Sequence, residues 1–588
     1  MSTHEVRNQV PPLADYDVAA DPALLAALAR EGAGWAEPGV HELGLLAGSA
    51  RTQELARLAN VYPPVLRSHD SRGNRADEVD FHPAWHELMT TAVTHGLHAA
   101  PWRDARPGAH VARAAGFYVW TQAEAGHCCP VSMTYACVPA LRHAPGLAAR
   151  YEPLLAARAY QPGLEVPDGK AGLLAGMGMT EKQGGSDVRA NATRAVPLDS
   201  AAADTAADAR GYLLTGHKWF CSAPMSDMFL VLAQAPEGLS CFLLPRVLPD
   251  GTRNAMHIQR LKDKLGNRSN ASSEVEYDGA LAWLVGEPGR GVATIIEMVT
   301  ATRLDCVLGS AAQMRQACVT AAHYVSRRQA FGTTVISHPA MAAVIADLTL
   351  ESEAAAVLAM RLAGAADRAA RGDSAEADFL RLALPAAKFW ICKRAPAVTG
   401  EALECLGGNG YVEDSGLPRL FRDSPLNSIW EGSGNVTALD VLRALTRTPA
   451  AADAVLAEVD AAAGGDRRLD AAAGALRTAL ARVAGPAGQA AAQHDARRLA
   501  GLLALTLQGA LLTRHAPAAV AEAFCATRLG WAAGAGGAGS AAAGGAGGAG
   551  GAGRAGNDSL GPGAPFGVLP AGLALPEILA RSSVPAGG

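Results

Sequence analysis

Met228-Phe229-Leu230-Val231-Leu232 is the clearest of several short β-type runs between residues 176 and 285. Three more are Tyr212-Leu213-Leu214, Cys241-Phe242-Leu243-Leu244 and Val275-Glu276-Tyr277, and glycine, proline and aspartate separate them. Short apolar runs bounded by turn-forming residues are typical of β-strands. Residues 176–285 are therefore predicted to form a small middle β domain.

Helical spacing of apolar residues dominates on both sides of this region. Before it the spacing runs from Leu24 to Leu28 and from Val111 to Ala125, and after it from Ala312 to Arg328. Apolar residues repeated every three to four positions predict amphipathic helices. The predicted fold class is α+β and mostly α, with a helical N-terminal domain over residues 1–175 and a C-terminal helical bundle over residues 286–449.

Composition limits the classes of function. A chain of 588 residues is too long for one hydrophobic core. The formal net charge of -5 provides no overall attraction to nucleic acid or membrane, so any DNA contact must be local. The ten cysteines show no CxxC spacing, and neither an apolar leader nor an uninterrupted apolar run of about 18 residues is present. We expect a cytoplasmic protein with reduced core cysteines, no membrane segment and no metal site.

The sequence beyond residue 449 changes character. Residues 450–531 are alanine-rich and lysine-free, and Val441 to Gly530 holds ten arginines against seven carboxylates. The pairs Arg467-Arg468 and Arg497-Arg498 could grip phosphates in a bidentate way if they share a face. Solvated helix faces with internal ion pairs are the other interpretation. Residues 532–588 are predicted to be an Ala/Gly-rich flexible tail.

One carboxylate lies in a setting that suits a catalytic base. The stretch Asn427-Ser428-Ile429-Trp430-Glu431-Gly432-Ser433-Gly434-Asn435 places Glu431 between an apolar pair and a run of small residues. Desolvation by Ile429 and Trp430 would raise the pKa of Glu431, which would let it abstract a weakly acidic proton near neutral pH. A glutamate at an ordinary turn is the alternative.

Two upstream segments indicate a binding site for a flat, phosphate-bearing molecule. Met177-Gly178-Met179-Thr180-Glu181-Lys182-Gln183-Gly184-Gly185-Ser186-Asp187-Val188 offers hydroxyls, an amide and backbone N–H donors. Gly216-His217-Lys218-Trp219-Phe220-Cys221-Ser222 is a strand-like run whose aromatic pair could wall a planar cofactor. A plain glycine-rich loop and a plain core strand are the alternatives.

In this order these segments resemble the flavin-binding and catalytic segments of the acyl-CoA dehydrogenase superfamily. Together with Arg260 to Ser272, Arg30 to Trp35 and Arg57 to Val61, they resemble its AidB branch, flavoproteins of the adaptive response to DNA alkylation. The resemblance covers roughly residues 1 to 531. It implies an acyl-CoA dehydrogenase-like fold with an extra C-terminal helical extension that carries DNA binding.

The resemblance also implies FAD as cofactor and roles for individual residues. Glu431 would take the α proton of an acyl-CoA thioester while the β hydrogen leaves as hydride to FAD, and the backbone N–H of Glu431 would help to hold the thioester oxygen. Arg328 would reach the FAD of a neighbouring subunit in a homotetramer, although a plain surface arginine is the alternative. The expected FAD contacts are Met177, Gly178, Met179, Thr180, Gly184, Gly185, Ser186, Phe220, Cys221, Ser222, Arg328, Gly407, Gly408, Ile429, Trp430, Gly432, Ser433 and Asn435.

Three departures from the general superfamily pattern are AidB-like. Trp430 stands where Tyr is usual, Ser433 where Thr is usual, and Glu404 where a Gln commonly touches the neighbouring FAD. They imply weak dehydrogenation of a common acyl-CoA at best. The prediction is therefore an FAD protein of the DNA alkylation response that binds double-stranded DNA, with at most weak activity on isovaleryl-CoA-like substrates. The alternative is a metabolic acyl-CoA dehydrogenase whose extension only builds the oligomer.

Overall fold

Two structural units divide the chain, one formed by Pro38–Gly309 and the other by Met1–Glu37 together with Ser310–Gly588. The computed structural model describes residues 3–198, 210–483, 486–530 and 563–583. The helices of these residues are, in chain order, α1 Pro22–Arg30, α2 Glu37–Gly48, α3 Ala50–Val61, α4 Pro83–Thr94, α5 Ala100–Arg103, α6 Ala109–Thr121, α7 Cys128–Leu141, α8 Pro145–Leu155, α9 Gly291–Arg327, α10 Pro339–Ala370, α11 Ser374–Cys405, α12 Leu417–Asp423, α13 Gly434–Arg447, α14 Ala450–Asp460, α15 Arg467–Val483, α16 Pro486–His515, α17 Ala518–Phe524 and α18 Leu575–Ala580. The strands are β1 Val65–His69, β2 Arg75–Asp80, β3 Ala175–Gly178, β4 Arg194–Pro197, β5 Gly211–Ser222, β6 Met228–Ala235, β7 Gly238–Pro245, β8 Met256–Leu261, β9 Ser272–Val285, β10 Gln329–Ala330 and β11 Thr333–Thr334.

The β part of the first unit is a sheet that closes on itself. Its strand order is β3-β6-β4-β5-β9-β7, β8 pairs with β9, and β7 pairs back onto β6. Alternate side chains of these strands point inward, where Tyr212, Phe229 and Phe242 are among the buried core residues. The predicted fold class, α+β and mostly α with a small middle β domain, is confirmed.

A hairpin interrupts the stretch that was expected to be helical. Strands β1 and β2 pair antiparallel with the register Val65 to Asp80, and Leu66 and Val79 pack against the barrel core. Most of the other hairpin residues are polar or charged, so they show neither the apolar alternation of a strand nor a helical stripe. The correct assignment depends on packing that the local sequence does not encode.

The second unit is a helical bundle. Its long helices α10 and α11 pack on each other, and α11 also packs on α13, α14 and α16. The N-terminal helix α1 packs on α10, so residues 1–37 join this bundle rather than the rest of the expected domain 1–175. Tyr16, which precedes α1, adds a contact with α9, because its hydroxyl donates to Gln316 Oε1 at 2.8 Å. Compactness thus groups residues 1–37 with the bundle, because packing between distant segments decides it, and the bounds of the N-terminal domain stay a prediction.

Part of the expected flexible tail is folded onto this bundle. Residues 563–583 contain α18, which packs on α10 with Ile578 fully buried. The Arg581 guanidinium pairs with Glu353, and Gly567 N–H donates to Asp347 Oδ2 at 2.9 Å. Buried acids on α10 supply the anchor, which the Pro/Gly-rich composition of the tail does not reveal. The rest of the expected tail, 532–562 and 584–588, lies outside the described residues.

Replacing Arg581 with Ala is expected to destabilise the protein by about 3 kcal/mol, because it leaves a buried carboxylate without its cation. Glu353 is 6% exposed, and burial raises its pKa above the usual range even with Arg581 in place. Arg477→Ala is the matched control, since it breaks a pair with Asp460 in which both side chains are about half exposed; it should cost about 0–1 kcal/mol. Urea unfolding measures both changes, and equal effects would mean that the tail contributes nothing to stability.

The cysteines are all buried and form no disulfide, as expected of reduced core residues. None of the helices in the described part of the chain combines the length and apolar composition that crossing a bilayer requires.

Candidate active site

The expected flavin loop of the first unit starts at the end of β3. It is held by an isolated β-bridge between Glu181 and Gly184 and by the backbone N–H of Trp219, which donates to Thr180 O at 2.8 Å. A Cβ on Gly185 would lie 2.6 Å from Thr180 Oγ1, so the backbone packs on Thr180 with no room for a side chain. Ser186 is exposed beyond this turn. The loop thus presents hydroxyls and main-chain groups at its surface.

A buried ion pair supports this loop from below. Lys218 Nζ donates to Glu181 Oε1 at 2.7 Å and to Leu232 O at 2.8 Å, and both charged side chains are fully buried. The other Glu181 oxygen accepts from Ala192 N–H at 2.6 Å. Burial by itself raises the pKa of Glu181, but the hydrogen bonds from Lys218, Thr193 and Ala192 outweigh it and lower that pKa to about 2. Glu181 is therefore a structural carboxylate.

The three predicted residues at the end of β5 do not share a surface. Phe220 is 50% exposed and Ser222 is half-buried, with its hydroxyl 3.1 Å from Ser272 Oγ. Cys221 is fully buried in the barrel core. Its side chain is therefore turned away from the surface, so only its backbone could flank a flavin, and that role stays a prediction; a register irregularity between Lys218 and Cys221 sets which side chains turn inward.

The expected catalytic segment of the second unit is a short irregular loop between α12 and α13. Glu431 has φ +56° and is half-buried, and Gly432 follows at φ +108°. A left-handed conformation costs a non-glycine residue about 1–2 kcal/mol. Such residues persist where the surroundings determine them, and they cluster at functional sites.

Lys388 on α11 holds Glu431 in this left-handed conformation. Its ammonium group donates to Trp430 O at 2.7 Å and to Gly432 O at 2.6 Å, the two carbonyls that flank Glu431. The side chain is 1% exposed, and neither contact is with a carboxylate. Sequence reasoning missed Lys388, although a lone lysine within the apolar run Leu384 to Cys392 was a visible signal.

The residues on either side of Glu431 differ in their exposure and in their hydrogen bonds. Ile429 is 61% exposed, whereas Trp430 is half-buried with its indole N–H donating to Asn427 Oδ1 at 3.0 Å. Ser433 is the N-cap residue of α13. Asn435 is exposed and accepts from Arg497 Nη1 at 3.2 Å. The polar groups after Glu431 therefore lie at the start of a helix, where N–H groups point outward.

Two further predicted contacts lie elsewhere in the second unit. Arg328 follows α9, and its guanidinium donates to Asn8 O. The nearby Phe331 is 97% exposed at φ +54°. Gly407 and Gly408 are both exposed in a tight turn after α11. That Arg328 or this turn meets the FAD of a neighbouring subunit stays a prediction.

The four arginines expected to contact DNA differ in their ion pairs and in their exposure. Arg468 pairs with Asp466 at 2.6 Å and Arg498 with Asp495 at 3.2 Å. Arg497 is exposed on α16 and lies 5.6 Å from the Phe389 ring centroid, while Arg467 is exposed at the start of α15. These ion pairs are what solvated helix faces predict, so charge geometry alone does not favour phosphate binding.

The two sets of site residues belong to different units. The first unit holds Thr180, Ser186, Phe220 and Ser222 around one barrel edge. The second holds Glu431 and Ser433 beside α11 and α13. Each set rests on a buried lysine, and neither lysine is among the predicted site residues.

A small β-barrel with an exposed aromatic residue on one strand, and a helical bundle that carries the Glu431 loop, are the parts of an acyl-CoA dehydrogenase-type protein. Family models agree: residues 8–162 match the adaptive response protein AidB N-terminal domain, 176–280 the acyl-CoA dehydrogenase middle domain and 289–446 the acyl-CoA dehydrogenase C-terminal domain. The chain is 46% identical over 533 residues, 90% of its length and 94% of the relative, to AidB of Escherichia coli (strain K12), which carries the name of an acyl-CoA dehydrogenase. The chain belongs to the AidB branch of the acyl-CoA dehydrogenase family.

Solved structures support the same assignment. Caenorhabditis elegans ACDH-11 in complex with C11-CoA superposes with a TM-score of 0.77 at 28% identity, covering 88% of this chain and 91% of that one. A Bacillus anthracis acyl-CoA dehydrogenase complexed with FAD shares the fold, with a TM-score of 0.62 at 18% identity over 76% and 80% of the two chains. Members of this family are FAD-dependent oxidoreductases that act on CH–CH groups, so the chain is of that enzyme class with FAD as its cofactor.

Proposed function

We propose that this protein is an FAD-containing member of the DNA alkylation response that binds double-stranded DNA and retains at most weak acyl-CoA dehydrogenase activity, with isovaleryl-CoA-like thioesters as substrates. The observation that carries the proposal is the 46% identity to AidB across 94% of that protein, including a match to the N-terminal domain of the adaptive response protein. We also propose that it is a cytoplasmic homotetramer, which light scattering would test.

Each unit, taken by itself, holds side chains whose chemistry suits part of an FAD molecule. The hydroxyls of Thr180 and Ser186 suit the polar edge of the flavin ring and the pyrophosphate, and the exposed Phe220 ring suits the face of the isoalloxazine. Ser433 and Asn435 at the start of α13 suit a phosphate oxygen. When bound, FAD supplies the acceptor for a hydride from the β carbon of the substrate.

Glu431 is the proposed base. The α C–H of a thioester is a weak acid, so a carboxylate must lie within reach of it with little competing water. Glu431 is half-buried beside the Trp430 indole. Its carboxylate would accept the α proton, and its backbone N–H would donate to the thioester oxygen as negative charge develops there.

The proposal of DNA binding rests on arginines of the extension. The double variant R497A/R498A is expected to weaken duplex binding, because it removes up to about two phosphate contacts. Each lost contact should make the slope of log K against log salt shallower by about 0.9. FAD content should stay normal. Fluorescence anisotropy of a labelled duplex at two or more salt concentrations measures the change.

A matched control is R142A/R150A, which removes the same charge from two ion-paired arginines of the first unit. It should leave the salt slope unchanged. Equal slopes for wild-type protein and R497A/R498A would remove these two arginines from the proposed DNA surface.

A metabolic acyl-CoA dehydrogenase is the second proposal. It is favoured by the likeness to ACDH-11, which was solved with C11-CoA, and by the ion pairs that engage Arg468 and Arg498. Anaerobic addition of isovaleryl-CoA and of a longer acyl-CoA separates the two proposals. Rapid flavin bleaching without DNA binding would support the metabolic enzyme, and salt-dependent DNA binding with slow bleaching would support the alkylation response.

A further inference from the structure

Lys388 is unusual among the buried cations of the second unit because it serves two backbone carbonyls. Its ammonium group lies 2.7 Å from Trp430 O and 2.6 Å from Gly432 O. Removing an ammonium group from water is costly, so a buried lysine needs strong compensating contacts. The compensation here comes from the one loop of this unit that carries the proposed base.

The first of these carbonyls belongs to the peptide group whose N–H is that of Glu431. A cation that accepts electron density from a peptide oxygen polarises the whole peptide, because linked hydrogen bonds strengthen one another in a low-dielectric interior. The Glu431 N–H therefore becomes a stronger donor than an ordinary amide. The second contact, to Gly432 O, holds the chain on the other side of the left-handed residue.

We propose that Lys388 is a positioning residue for thioester activation: it holds Glu431 in its left-handed conformation and polarises the Glu431 N–H that faces the developing negative charge on the thioester oxygen. This inference rests on the proposed role of Glu431 as base. It assigns to a buried side chain of α11 a part in substrate chemistry that it performs without touching the substrate.

Lys388→Met tests the proposal, because methionine fills a similar volume without donors or charge. We expect the rate of flavin reduction by isovaleryl-CoA to fall at least about tenfold, but by less than the roughly 10²–10³-fold that removal of the oxyanion donor itself costs. FAD content and the KM for the acyl-CoA should change less than about threefold. A merely structural role would instead raise KM and lower FAD content together with the rate.

Lys170→Met is the matched control. Lys170 is also a buried lysine, it lies in the first unit, and it donates to Gly163 O at 2.7 Å and to Asp227 Oδ1 at 2.7 Å, so it contacts neither carbonyl that flanks Glu431. It should lower thermal stability but keep the reduction rate per bound FAD. Equal reduction rates for Lys388→Met and Lys170→Met, both close to that of wild type, would overturn the proposal.

Hydrogen exchange of the peptide 427–435 distinguishes this inference from the proposed function. Faster exchange in Lys388→Met than in Lys170→Met supports the holding role even if no acyl-CoA reduces the wild-type flavin, in which case the dehydrogenase function fails on its own. Unchanged exchange in Lys388→Met would contradict the holding role whatever the activity. The neutral donor of Lys388→Gln should restore protection more than rate, because it replaces a hydrogen bond but not the charge.

Discussion

Glu431→Gln is expected to abolish reduction of the bound flavin by acyl-CoA while FAD stays bound. The amide keeps the size and the backbone conformation of the side chain but cannot accept the α proton. Loss of a general base lowers rates by about 10²–10⁴-fold, and from a weak starting activity that loss reaches the detection limit. Anaerobic bleaching of the flavin spectrum measures the effect.

The backbone at this position makes glutamine the right substitution. Glu431 has φ +56° and Gly432 has φ +108°, so a change that disturbs the loop would confuse loss of the base with loss of geometry. Ile429→Ala is a useful companion, since it alters an exposed neighbour without touching a carboxylate. Retained bleaching in Glu431→Gln would show that another group is the base, and loss of FAD would show that the loop rather than the proton acceptor had been altered.

Lys218→Met is expected to destabilise the first unit by about 3–5 kcal/mol and to lower its FAD content. The substitution leaves the Glu181 carboxylate buried without its cation, and breaking one side of a buried pair costs that much. Because Glu181 lies within the expected flavin loop and also accepts the backbone N–H groups of Ala192 and Thr193, the damage reaches the expected flavin site. Urea unfolding and the ratio of flavin to protein absorbance measure the two effects.

The double variant K218M/E181Q is the control for the charge. Glutamine still accepts from Ala192 N–H but carries no charge, so the double variant should recover part of the lost stability. If it is no more stable than Lys218→Met, packing rather than an uncompensated charge is the cause.

The pH dependence of Lys218→Met follows from the pKa of Glu181. That pKa is about 2 in the folded protein against an ordinary value of 4.5, so the ion pair contributes its full stability above about pH 4.5 and loses it as the pH falls toward 2. The stability difference between wild type and Lys218→Met should therefore be largest near neutral pH and shrink on acidification. A difference that stays constant from pH 7 to pH 3 would contradict the ion-pair explanation.

The strands and long helices could be read from local patterns. The runs at Met228 to Leu232 and Cys241 to Leu244 lie in β6 and β7, and the helical spacing from Ala312 to Arg328 lies almost wholly in α9. The two strands are continuous apolar runs buried on both faces, and the helix repeats its apolar residues every three to four positions, so each is marked by its local sequence. The hairpin from Val65 to Asp80 and the docked residues 563–583 were not predicted, because their contacts are made with segments far away in the chain.

The candidate site likewise has features that the sequence shows and features that only the fold shows. The sequence by itself determined which loops are the candidates for the chemistry, because the runs around Thr180 and Glu431 combine residue types that few other loops share. Only the tertiary structure decided that the Cys221 side chain belongs to the barrel core and that Lys218 and Lys388 support the two loops. A buried lysine is stable only beside the carboxylate and carbonyl oxygens that surround it, and those oxygens come together only when strands and helices distant in the chain pack.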